Sequence, residues 1–257
     1  MAPYDVLGNI ALVKFPKGTT MHEKKRFAVL FMQEHPRITT VLEKTGKIAG
    51  RLRTPTSRWL GGEKTKEALY AENGCVFRLE VDTCYFSPRL AEERKLIAGL
   101  VRKGERVLVL FGGVGPFAIV IAKKNKAKEV VSVELGKEPS RYALENVKRN
   151  KVVVDVVQGD VNRILPRFAK QGKVFDRIVM ARPNLKATFL SSTLRVVKKG
   201  TRIHYYGFCH ETELEDMQQA LVREGKEKGK KLQIVGTKKA GDIGTRKYRY
   251  RIDLVVR

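Results

Sequence analysis

Residues 106–111 read RVLVLF, and the next five are Gly112-Gly113-Val114-Gly115-Pro116. An unbroken apolar run, in place of strict alternation, is what a strand covered on both faces of a parallel sheet requires. The glycines let the backbone turn sharply and come close to a ligand. A helix is predicted over 116–124, so the unit is strand, glycine turn, helix. The same alternation continues downstream. Strands are predicted over 129–134, 152–158, 177–180 and 202–206, with helices over 140–150, 161–169, 186–197 and 211–228. Strands over 232–235 and 248–256 close the sheet. Seven strands with short loops predict a Rossmann-like, doubly wound, mostly parallel α/β sheet.

Upstream the pattern is different. Strands are expected at 6–15, 37–42 and 75–86, and a helix at 21–33. The stretch 46–65, GKIAGRLRTPTSRWLGGEKT, is rich in Gly, Arg and Thr and reads as a loop or hairpin with exposed cations. Residues 90–101 are amphipathic. A small α+β module over residues 1–88 and a larger α/β domain over 89–257 follow from this change of pattern.

Composition narrows the function. The chain of 257 residues is 42% hydrophobic, enough for a sizeable core, yet its formal net charge is +25. Ion-pair networks need both signs, so an excess this large favours a polyanionic partner, nucleic acid above all. The excess is spread over the chain: 15 cations against 9 acids before residue 90, and 37 against 18 after it. The three cysteines, Cys75, Cys84 and Cys209, have no C-x-x-C spacing, which argues against a disulfide scaffold, a zinc ribbon or an iron–sulfur cluster. No metal is expected. No apolar run is long enough to span a bilayer, and the N-terminus lacks the basic region of a signal peptide. A cytoplasmic location is the expectation.

Two acids give the glycine turn its meaning. Glu134 ends the second strand, 19 residues after Gly115, where a carboxylate accepts from ribose hydroxyls. Asp160 ends the third, in Gln158-Gly159-Asp160-Val161, where it can accept from an adenine amino group. Phe111, Gly113, Gly115, Glu134, Asp160 and Val161 are therefore the candidate adenosine-binding residues. A dinucleotide fingerprint wants a third glycine where Phe117-Ala118 stands. Pro116 also removes a donor that pyrophosphate would use. No G-x-x-x-x-G-K-[ST] motif is present, which excludes a P-loop. S-adenosylmethionine carries no phosphate, so the site reads as that of a class I methyltransferase.

Further residues carry a resemblance. Tyr85-Phe86-Ser87-Pro88-Arg89-Leu90, Glu93-Arg94, Gly104-Glu105 and the run from Phe111 to Ile119 resemble the archaeal and eukaryotic tRNA guanine-37 N1-methyltransferase family. That family includes related wyosine-pathway enzymes. Arg51-Leu52-Arg53-Thr54, Glu72-Asn73-Gly74-Cys75, Glu145-Asn146-Val147 and the segment from Lys247 to Asp253 extend the match. The resemblance implies S-adenosylmethionine as donor and the anticodon stem-loop of tRNA as substrate region, with residues 1–88 helping to position the tRNA. Members often carry an additional N-terminal domain, and this chain is expected to begin after it. Glu105 resembles the proposed general base of the family.

The chain also departs from that pattern. The family's Asn-Leu-Pro is Ala181-Arg182-Pro183 here, a basic residue before Glu72-Asn73-Gly74 is Ala71, and an acid at the glycine motif is Val109 or Leu110. Donor-site residues are kept and base-handling residues altered. Arg182 is then a candidate to stabilise charge on guanine O6 or to grip a phosphate, and Pro183 to shape the turn. The target base must leave its stack, with Tyr85, Phe86 and Trp59 as candidate stacking partners. Arg51, Arg53, Arg58, Arg89 and Arg94 are candidate RNA contacts. So is the segment 223–251, which holds 11 Lys and Arg against 3 acids. The leading reading is a tRNA methyltransferase acting on N1 of guanosine 37. The alternatives are a wyosine-pathway aminocarboxypropyl transferase, a methyltransferase for another RNA position, and a non-catalytic RNA-binding homologue. The F-S-P-R-L segment fits the methyltransferase branch better.

Overall fold

A computed structural model describes residues 2–46 and 56–257. The N-terminal sheet holds β1 (Tyr4–Leu7), β2 (Ile10–Val13), β3 (Thr40–Lys44) and β4 (Ser57–Gly62), in that spatial order. Helix α1 (Met21–Glu34) makes the crossover between the parallel strands β2 and β3. Thr20 caps it in a capping box with Glu23, and Ala28 and Phe31 pack against Val13, Val41 and Leu60. The single strand expected over 6–15 is a hairpin. Gly8 turns it at φ +59°, where a Cβ would fall 1.9 Å from the Leu69 carbonyl oxygen.

A second hairpin, β5 (Glu67–Glu72) and β6 (Cys75–Glu80), follows. Its two-residue turn is Asn73-Gly74, both at positive φ, the geometry that suits the twist of two short strands. The strand expected to run on to Phe86 stops at Glu80.

The larger sheet has the spatial order β12-β13-β11-β10-β7-β8-β9. Its strands are β7 (Arg106–Leu110), β8 (Glu129–Glu134), β9 (Asp155–Gln158), β10 (Phe175–Met180), β11 (Val197–His210), β12 (Leu232–Gly244) and β13 (Lys247–Val256). The five from β7 to β11 run parallel; β13 is antiparallel to both β11 and β12. Helices α2 (Ala91–Leu100), α3 (Pro116–Lys123), α4 (Lys137–Arg149), α5 (Val161–Lys170), α6 (Leu190–Thr193) and α7 (Leu214–Glu227) cover the two faces. This is the seven-stranded, mostly parallel α/β fold that the sequence pattern predicts. The chain leaves β7 in one direction and returns to β10 on its other side. That switch opens a crevice at the C-terminal ends of β7, β8, β9 and β10.

Several elements differ from expectation, and the strand expected over 202–206 spans Val197–His210. The helix expected over 186–197 is confined to Leu190–Thr193 and a 3-10 turn at Leu194–Val196, because residues 185–187 are pinned by Arg182. The strand expected over 232–235 runs on to Gly244 through three register shifts. Polar residues and glycines from Gly236 onwards hide it, yet they suit an irregular sheet edge.

Candidate active site

The crevice is built from the ends of four strands, β7, β8, β9 and β10. After β7 the backbone takes positive φ at Phe111 (60°), Gly113 (56°) and Gly115 (88°). A Cβ on Gly112 would stand 2.1 Å from Ser132 Oγ, so the turn can press against β8 only with glycine there. Gly112 N–H donates to the Val133 carbonyl at 3.0 Å. Glu134 then braces two turns at once. It accepts from Gly113 N–H at 2.8 Å and from Gly136 N–H at 2.7 Å. Burial pushes its carboxyl above the ordinary range, opposed by those backbone donors. Asp160 is the N-cap of α5 and accepts from Asn162 N–H at 2.8 Å.

Phe111, Gly113, Glu134, Asp160 and Val161 line one cleft. Gly115 stands behind it as the N-cap of α3, where a Cβ would meet Ile119 Cδ1 at 3.0 Å. The cleft fits an adenosine ligand. A Cβ on Gly113 would find only the Tyr85 carbonyl within 4 Å, so the backbone lies open to a ligand, between two acids and the apolar side chains of Phe111 and Val161. Pro116 opens α3 and offers no N–H for a phosphate.

The cleft is also lined by Tyr85, Tyr206, Phe208, Pro183 and Arg249. Arg249 Nη2 donates to the Tyr85 hydroxyl at 3.4 Å, and Tyr85 is 36% exposed. Phe86 is half-buried; it packs on Tyr70 and Phe77 and also lines the cleft. Trp59, 38% exposed, lies away on β4 and donates to the Glu63 carbonyl.

Three expected site residues have other work. Glu105 precedes β7 at the far end of the strand from the glycine turn, about 17 Å away. There it accepts from Arg177 Nε at 2.8 Å and Nη2 at 3.0 Å. It cannot reach a base in the cleft. Arg94 is buried, not a phosphate contact. It makes a two-pronged ion pair with the buried Glu72, donates to the Ser87 carbonyl, and lies over the rings of Phe86 and Phe117. Arg182 borders the cleft, but its Nη2 donates to the carbonyls of Leu185 and Ala187 and its guanidinium lies on the Tyr205 ring. It holds the segment after β10 in shape through those two carbonyls. Its Nε is buried without a hydrogen-bond partner. Of the expected RNA contacts, Arg58 and Arg89 are exposed; Arg51 and Arg53 lie outside the described residues. No cluster able to hold a metal ion occurs among the described residues, and no helix there is long and apolar enough to cross a membrane.

Sequence reasoning gave Glu93 no role in the site, although Glu93-Arg94 is among the residues that carry the family resemblance. Next to Arg94 on α2, it is buried and accepts from the hydroxyl of Tyr206, a cleft residue, at 3.1 Å. Only the packing of α2 on β11 shows that it reaches the site.

Comparison with known proteins agrees with this geometry. Residues 68–235 match the TRM5/TYW2 methyltransferase domain, and residues 2–65 match the TYW2 N-terminal domain. The tRNA (guanine(37)-N(1))/4-demethylwyosine(37)-methyltransferase Taw22 of Nanoarchaeum equitans is 31% identical, over 98% of both chains. The tRNA (guanine(37)-N(1))-methyltransferase Trm5b of Pyrococcus abyssi is 32% identical; its crystal structure superposes with a TM-score of 0.85, over 99% of this chain and 74% of that one. A tRNA(Phe) (4-demethylwyosine(37)-C(7)) aminocarboxypropyltransferase of Methanocaldococcus jannaschii is 30% identical over 79% of this chain and 77% of its own.

Proposed function

The chain belongs to the TRM5/TYW2 methyltransferase family, and from that premise we propose that it transfers a methyl group from S-adenosylmethionine to N1 of guanosine 37 in tRNA. The observation that carries this reading is the cleft itself: an open glycine turn tied to Glu134, with Asp160 on the next strand and no phosphate-binding device. S-adenosylmethionine supplies an electrophilic methyl group when bound. Glu134 would hold the donor through the ribose hydroxyls and Asp160 through the adenine amino group, with Phe111 and Val161 as the apolar lining beside them. The cleft walls exclude water and align the target nitrogen.

Guanine N1 carries a proton at neutral pH, so its alkylation needs an acceptor. With Glu105 at the far end of β7, Glu93 is the carboxylate that remains, joined to the cleft through Tyr206. Tyr85 offers a face for an unstacked base. Residues 1–88 form the tRNA-positioning module and 89–257 the catalytic domain. Arg58, Arg89 and Arg249 take phosphates, together with Arg51 and Arg53. The anticodon stem-loop is the part of tRNA addressed.

A second reading has two observations in its favour. Residues 2–65 match the TYW2 N-terminal domain, and the Methanocaldococcus relative is named as an aminocarboxypropyltransferase. One assay separates the two. The protein is incubated with S-adenosylmethionine and either unmodified tRNA or tRNA that carries a wyosine precursor at position 37, and the nucleosides are analysed by mass spectrometry. A single methyl gain on guanosine 37 is expected. An aminocarboxypropyl adduct formed only on a wyosine precursor would move the assignment to the second reading. In parallel, Glu134→Ala and Asp160→Ala should abolish donor binding by calorimetry; unchanged affinity sinks the site assignment.

A further inference from the structure

The segment from Lys247 to Asp253 has a role that the donor site does not explain. On β13, Arg251 and Asp253 are two residues apart and share a face; on β11, His204 and Tyr206 do the same. The register pairs His204 with Asp253 and Tyr206 with Arg251. Helix α2 covers this face and brings Glu93 onto it. The result is a continuous buried line. Tyr206 hydroxyl donates to Glu93, and Arg251 Nη1 donates to the same carboxylate oxygen. Arg251 Nε donates to Asp253 at 3.0 and 3.2 Å. His204 Nδ1 lies 2.6 Å from Asp253, and its Nε2 lies 2.7 Å from Arg177 Nη1. A guanidinium only donates, so His204 Nε2 accepts and the Nδ1–H donates to Asp253. Glu93, His204, Tyr206 and Arg251 are each under 9% exposed.

Burying so many charges is costly unless each is paired. This line ends at Tyr206, in the cleft wall, so its order is transmitted to the site. We propose that Arg251 is a positioning residue for the transfer step: held from behind by Asp253 and His204, it fixes the Glu93 carboxylate and, with it, the Tyr206 hydroxyl. The inference rests on the cleft being the transfer site.

Several groups face Glu93. Arg251 and Asp253 face it from β13, Tyr206 from β11, and Lys238 Nζ from β12 at 3.8 Å; the neighbouring Arg94 is turned to Glu72. Removing Arg251 takes away the cation bonded to the Glu93 carboxylate; removing the Asp253 charge leaves that cation in place but frees it from behind. Arg251→Met, Arg251→Lys and Asp253→Asn are compared with the intact protein by single-turnover transfer to tRNA and by calorimetric donor binding. Arg251→Met should lower the single-turnover rate about 10²-fold with donor affinity little changed. Arg251→Lys should recover part of the rate, and Asp253→Asn should lower it by less than Arg251→Met. Should the Met variant not fold, the Lys and Asn variants carry the same readouts. A folded Arg251→Met with unchanged rate overturns the role, as does a loss of donor affinity in proportion to rate, or an Arg251→Lys variant no faster than Arg251→Met. An unmutated protein that binds donor but modifies no tRNA overturns the substrate reading, a separate result.

Discussion

Among residues of one type, burial decides the task. Arg94 and Arg89 stand five positions apart on the same stretch. Arg94 is spent on Glu72 in the core, while Arg89 is 81% exposed. Sequence gives both the same charge, so it cannot separate them. Glu105 and Glu93 are misread in the same way, since which carboxylate meets the cleft depends on how α2 crosses β11. His204 has a consequence of its own. Burial lowers its proton affinity, against the pull of Asp253, while Arg177 and Arg251 add to the lowering. The unfolded chain takes up a proton near pH 6.5 that the folded protein refuses. Stability therefore falls as pH drops below about 6.5, until the folded-state value is reached. Urea midpoints measured from pH 7.5 downwards should show this slope, and His204→Gln should flatten it; an identical slope in the variant rules His204 out as its source.

At the scale of elements, the joint between the β5–β6 hairpin and α4 rests on two asparagines one helical turn apart. Asn146 accepts from Arg78 N–H at 2.7 Å and donates to the Arg78 carbonyl at 3.0 Å; Asn150 does the same with Val76 at 2.8 Å each. The two side-chain amides thus replace the neighbouring strand that β6 lacks on that edge. Asn146 also donates to the Val114 carbonyl in the glycine turn, so the hairpin, α4 and the site are tied by one side chain. Asn146→Ala should cost about 1–3 kcal/mol, because partly buried backbone groups lose their partner. Chemical denaturation checks this, and a loss within about 0.5 kcal/mol would show that water replaces the amide. The hairpin itself was legible only in part. Cys75–Glu80 alternates and is readily seen, whereas β5, with Ala68 and Ala71 and two glutamates, has no strong strand pattern.

For the whole molecule, the net charge of +25 places an excess of cations on the surface, while many of the acids are taken up in ion pairs. Arg58, Arg89 and the β12–β13 hairpin, with Lys238, Lys239, Lys247 and Arg249, carry exposed cations or frame the cleft rim. Affinity for tRNA should fall about 10³-fold between roughly 50 and 200 mM salt, as expected of about six phosphate contacts, with donor affinity nearly constant. A flat salt response in a filter-binding titration would remove phosphate contact as the main source of affinity.

What the sequence by itself determined is the local grammar of the donor site. A buried strand, a glycine turn and an acid at the end of each next strand are short-range patterns, set by backbone sterics and by the both-faces burial of parallel strands. The family motifs lie on that same frame. The tertiary structure alone decided which charges are buried and paired. The line from His204 to Glu93 joins residues up to 160 positions apart. Its pairing comes from the register of β11 with β13 and from the face that α2 covers, and a contact made across strands leaves no period in the chain.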